Sequence, residues 1–164
     1  MRDTIASLME KATLFNQQRK QLALQTMPAA AQQVFELLPL MLHYSHPCIP
    51  GFVEGDVPSG VCQFSISARH AIYLQQHFLC SPEEPAEHDI LGLYSMGSTA
   101  TVGHTESSDL DIWVCHASDL AANRLALLSE KCALISSWAA HQGVELNFFM
   151  VQENQFKTGS ISEL

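Results

Sequence analysis

At 164 residues, with 47% hydrophobic and 15% charged side chains, the chain can form one ordinary domain with a core, or a domain plus a helical extension, and is too apolar for a disordered segment. The formal net charge of −9, from 8 Lys and Arg against 17 Asp and Glu, argues against a protein that grips a nucleic-acid backbone, whose affinity rests on a basic patch. A small anionic substrate stays open, because divalent metals supply positive charge that the side chains do not.

The N-terminus, Met1-Arg2-Asp3-Thr4, runs into a polar-interrupted segment without a secretory apolar region, and no later stretch is apolar enough to span a bilayer. The expected compartment is the cytoplasm. Residues from about Thr4 to Gln25 predict a helix with Ile5, Leu8, Ala12, Phe15 and Leu22 on one face. A second helix is expected over Ala29 to Leu38, with Pro39 kinking or ending it. Between His46 and Gly60 the density of Pro and Gly predicts a long loop. Ser67 is placed to cap a third helix reaching about Leu79, and Ser81 to Asp89 reads as an acidic link.

After that link the pattern changes. Ile90 to Met96 is short and apolar, as a strand is, and Gly97-Ser98 ends it. A turn of Thr, Ser and Gly leads to Asp109-Leu110-Asp111-Ile112-Trp113-Val114, which alternates like a second strand. Leu120 to His141 has helical spacing with Gly143 as its stop, and Val144 to Val151 gives a third strand. The fold class is α+β: a helical N-terminal region, 1–89, then a compact unit, 90–164, the two forming one structural unit. Cys48, Cys62, Cys80, Cys115 and Cys132 contain no C-x-x-C pair and read as reduced thiols.

Asp109 and Asp111 carry the chemistry. Residues two apart in a strand share a face, so both carboxylates point one way while Leu110, Ile112 and Val114 face the core. Paired carboxylates repel, and Mg²⁺ or Mn²⁺ removes the conflict. Two acids at a solvated strand end fit the same pattern. Gly97 permits close backbone approach and Ser98 adds a hydroxyl and an N–H, a phosphate cradle if a helix starts there and an ordinary turn if not. The order of strand, Gly-Ser, spacer and D-x-D sets a cradle beside a metal site, as phosphoryl and nucleotidyl transfer require. Glu145, between Val144 and Leu146, is positioned as a third carboxylate, with Asn147 on its face; an exposed strand residue is the other reading.

Gly97-Ser98 followed by Asp109-x-Asp111 is similar to the signature of the DNA polymerase β-like nucleotidyltransferase superfamily. More narrowly, LYSMGSTATVGHTESSDLDIWVCH, LLPLMLHYSHPCIPGFVEGDVPSGVC and KCALISSWAAHQGVELNFFMVQENQF resemble the N-terminal catalytic region of class I adenylate cyclases of gamma-proteobacteria. Members of that family are longer, so the chain reads as an N-terminal piece joined to a C-terminal remainder.

The resemblance implies a nucleotidyltransferase-like mixed β-sheet packed with helices. It also implies conversion of ATP to 3′,5′-cyclic AMP and diphosphate with Mg²⁺ or Mn²⁺. Asp109, Asp111 and Glu145 would be the catalytic metal ligands, and Gly97 and Ser98 would hold the β- and γ-phosphates. Nucleotide transfer to another acceptor, or a non-catalytic nucleotide-binding regulatory module, are the alternatives.

Between Leu93 and Val151 the only Lys or Arg residues are Arg124 and Lys131, both in the expected crossover helix. A triphosphate usually meets fixed cations, so further basic groups are expected beyond Leu164, leaving this piece weakly active or inactive alone. His43 and His46 are three apart but lack an obvious partner for a zinc site. His104 is placed to approach the phosphates or lie on the surface, and His116 reads as structural. Trp113 shares the carboxylate face, where it would flank a nucleotide or join the core, and Tyr94 and Phe148-Phe149 read as core. The N-terminal helices either pack on the domain or mediate self-association.

Overall fold

The computed structural model describes residues 2–96 and 109–154. Gly97, Ser98 and His104 lie outside the described residues.

Arg2–Thr26 forms helix α1, a run without Gly or Pro that stops just before Pro28. Its expected apolar face is largely exposed, with Ile5 at 54%, Phe15 at 59% and Leu22 at 49%. Anchoring falls instead to Ala23 and Met27 at the C-terminal end, both buried. Helix α2, Ala29–His43, does not end at Pro39 but continues past it for another turn. A proline removes one N–H and costs the helix a bond. Leu40, Met41 and Leu42 beyond it are fully buried, and that burial outweighs the lost bond, at roughly 1.5–3 kcal/mol per large side chain.

The loop after α2 turns at Gly51, Gly55 and Gly60, all with positive φ. Ser67 caps the short helix α3, Ala68–Ile72, by accepting from the His70 N–H, and His70 reciprocates by accepting from the Ser67 N–H. A single π-helical turn, Tyr73–His77, follows.

Among the described residues three strands form one sheet in the order β1-β2-β3: β1 is Ile90–Met96, β2 is Leu110–His116 and β3 is Leu146–Gln152. β1 runs antiparallel to β2, and β2 parallel to β3. The parallel pair needs a crossover, which helix α4, Ala122–His141, provides. The architecture is thus α+β, helices leading into a small mixed sheet.

Alternation decides which face is buried. Leu110, Ile112, Val114 and Leu146 face inward, where they join Leu128, Cys132, Ile135 and Ala139 of α4 and Val34, Leu37, Leu38 and Met41 of α2 in one core. The opposite face carries Tyr94, Trp113 and Phe149 in register across the three strands. Tyr94 and Phe149 are 49% and 47% exposed, so neither is a core residue; only Phe148, one step out of phase, packs against the core. No described helix is long and apolar enough to cross a membrane.

Candidate functional site

Register builds the site. The Leu110 N–H donates to the Glu145 carbonyl at 2.8 Å, and Asp111 is the strand partner of Asn147. Period two then places Asp109, Asp111 and Asn147 on the open face at one end of the sheet. The Asn147 amide Nδ2 donates to Asp109 Oδ2 at 3.2 Å and to Asp111 Oδ1 at 3.1 Å. One NH₂ group spans both carboxylates, so their oxygens converge on a single point. Asp109 is exposed and Asp111 half-buried, which leaves the point open to a ligand.

The donor set suits a hard divalent cation. Two carboxylate oxygens converge where a positive partner is needed, and rotating the Asn147 amide would offer Oδ1 as a third, neutral oxygen. Glu145 is exposed. Among the described residues no group of three or more His, Cys, Asp or Glu is gathered to hold a metal, so the structure brings Asn147, rather than Glu145, against the aspartate pair. The sequence signal for Asn147 was its phase with Asp111, legible only once the register is known.

Other polar residues have structural partners. Val61 N–H donates to His43 Nδ1 at 3.0 Å, which leaves the ring proton on Nε2, 3.1 Å from Glu84 Oε2. Tyr44 donates to Glu84 Oε1 at 2.6 Å. Hydrogen bonds from Tyr44 and then His43 hold the Glu84 carboxyl below its usual range, while burial pushes the Tyr44 phenol well up. His43 has both nitrogens engaged and His46 Nδ1 accepts from the Cys48 N–H, so neither histidine offers that nitrogen to zinc. His116 is buried with Nδ1 2.9 Å from the Ala117 carbonyl oxygen.

The two Lys and Arg residues between Leu93 and Val151 are also committed. Arg124 forms a two-pronged pair with Asp89 at 3.2 and 3.0 Å and reaches Asp56 at 3.0 Å and Glu87 at 3.6 Å. Lys131 is fully buried, its Nζ donating to the Tyr44 carbonyl at 2.7 Å.

With this geometry in place, comparison with known proteins gives a consistent result. The family described as the adenylate cyclase NT domain matches residues 4–164. An adenylate cyclase of Salmonella typhimurium strain LT2 is 46% identical over 158 residues, 93% of this chain and 19% of the relative. That of Escherichia coli K12 is 44% identical over the same shares, and that of Yersinia pestis 40% identical over 98% of this chain and 19% of its own length. The chain thus spans about a fifth of the length of these relatives. No solved structure matches.

Proposed function

The chain belongs to the adenylate cyclase NT domain family, and from that premise we propose that it is a catalytic segment converting ATP to 3′,5′-cyclic AMP and diphosphate. The observation that carries the proposal is the convergence of Asp109 and Asp111 on the one Asn147 amide. In this reading Asp109 and Asp111 hold Mg²⁺ or Mn²⁺, and Asn147 sets the distance between their carboxylates. Glu145 is a further candidate ligand on the same face. Gly97 and Ser98, beyond the end of β1, would cradle the β- and γ-phosphates. A divalent cation bound there supplies the charge that draws in the triphosphate and acidifies the ribose 3′-hydroxyl. The 3′-oxygen forms a bond to the α-phosphorus, the bond from that phosphorus to the β-bridging oxygen breaks, and diphosphate leaves with the electron pair. The hydroxyl proton passes to water.

The test has a binding arm and a product arm. Calorimetry with a non-hydrolysable ATP analogue and Mn²⁺ is expected to show at least about a tenfold loss of affinity in Asp109→Asn and in Asp111→Asn, a difference of about 1.4 kcal/mol. Unchanged binding in both variants would remove the pair from the site. In the full-length protein, ATP and Mn²⁺ alone should yield cyclic AMP and diphosphate. A product that appears only when an acceptor is added would instead mark a nucleotidyltransferase.

A further inference from the structure

A cleft of about 460 Å³ lies between α1, α2 and the edge strand β1, a size suited to a small-molecule site. Leu38, Leu93 and Ile112 give it an apolar wall, and Arg19 and Lys20 of α1 stand on its polar side. The cleft reaches Met96, the strand partner of Asp111, so it extends to the carboxylate end of the sheet, with its wall residues Leu93 and Ile112 on the core face opposite the one that carries Asp111.

The placement follows from helical geometry. Asn16, Arg19, Lys20 and Ala23 recur at the three- and four-residue spacing of one helix face, and all four line the cleft. Ala23 is 1% exposed and fixes this face against the fold, while α1 from Ile5 to Leu22 is exposed to solvent. Arg19 lies over the Phe15 ring, 5.9 Å from its centre, which holds the guanidinium in place. Ser95, also in the wall, has its Oγ buried without a hydrogen-bond partner among the described residues.

Other cations are committed or stand elsewhere: Arg69 is paired with Glu36, Arg124 with its three acidic partners, Lys131 is buried on a carbonyl, and Lys11 lies outside the cleft. Arg19 and Lys20 line the cleft and form no ion pair among the described residues. In a chain of net charge −9, most of the surface repels an anion. Two adjacent cations beside an apolar wall reverse that locally, and the low-dielectric wall strengthens their pull.

We propose that this cleft is a polyphosphate site, in which Arg19 and Lys20 bind the phosphate chain of a nucleoside triphosphate. The identity of the ligand rests on the function proposed above; the anion site itself does not.

The experiment measures inorganic tripolyphosphate binding to the chain by calorimetry without metal, and MnATP-analogue binding separately. Tripolyphosphate is expected to bind, and Arg19→Gln with Lys20→Gln to weaken it at least about tenfold. Lys11→Gln, on the same helix outside the cleft, is expected to leave binding unchanged. Absence of tripolyphosphate binding, an unaffected double variant, or an equal loss in Lys11→Gln would overturn the site. Retained tripolyphosphate binding with no Asp109-dependent MnATP binding would instead overturn the functional reading and leave the anion site standing.

Discussion

Lys131 shows how far a single side chain can depart from its expected role. In the sequence it is one of two cations near the carboxylates; in the fold it is sealed behind α2, touching the Tyr44 carbonyl. Burial pushes its ammonium from 10.5 down to about 8, and burial likewise pushes the neighbouring Cys132 thiol up to about 12. Below pH 8 the ammonium is charged in folded and unfolded chains alike, so the full cost of burying it is present. Between about 8 and 10.5 the folded chain has released a proton that the unfolded chain keeps, so stability rises with pH across that window. Lys131→Met keeps the apolar stem and should stabilise the chain at pH 7 by about 1–3 kcal/mol. Urea unfolding under reducing conditions should show that advantage shrinking from pH 8 to 10.5; a constant gap would mean the ammonium does not titrate there. Sequence makes the Asp109–Asp111 pair legible because period two is a property of the strand itself. Burial of Lys131 and the bridging role of Asn147 depend on partners 87 and 36 or more residues away, and no local pattern encodes them.

At the scale of elements, periodicity and breakers place the long helices, the loop and the strands close to where they occur. What escapes is competition between local and distant terms. Pro39 is a helix breaker locally, yet Leu40, Met41 and Leu42 carry α2 past it because they are needed in the core. The apolar stripe of α1 looks like a packing face, but Ala23 and Met27 do the packing. The loop glycines divide by their surroundings. Gly60 has φ +74, and a Cβ there would lie 2.0 Å from the Glu87 carbonyl oxygen, backbone that cannot move aside cheaply. Gly143 has φ +77 with nothing within 4 Å. Gly60→Ala should therefore cost on the order of 3–5 kcal/mol, while Gly143→Ala should cost about 1–2 kcal/mol, the left-handed strain alone. Denaturant midpoints compare the two directly, and equal losses would sink the steric account.

Across the whole molecule, one arginine ties distant parts together. Arg124 at the start of α4 holds Asp89 just before β1, Asp56 in the long loop and Glu87 in the acidic link. Asp89 is only 9% exposed and also accepts from the Ser59 N–H. Arg124→Ala leaves that carboxylate buried without its counter-charge and should cost about 3 kcal/mol or more. Arg69→Ala breaks a pair whose arginine is 51% exposed and should cost about 1 kcal/mol or less. Chemical denaturation of both variants checks the ranking, and similar small losses would show that Arg124 is not a tie.

The apolar face of α2 has a consequence for how the chain is made. Val34, Leu37, Leu38 and Met41 share their core with α4 and β3, yet α2 ends at His43 while β3 begins only at Leu146. At ribosomal speeds of about 5–20 residues per second, α2 waits roughly 5–20 s for its partners. During that interval the helix that later anchors the fold is its stickiest exposed segment. Holdase chaperones and neighbouring nascent chains will meet α2 before the sheet that carries the carboxylates exists.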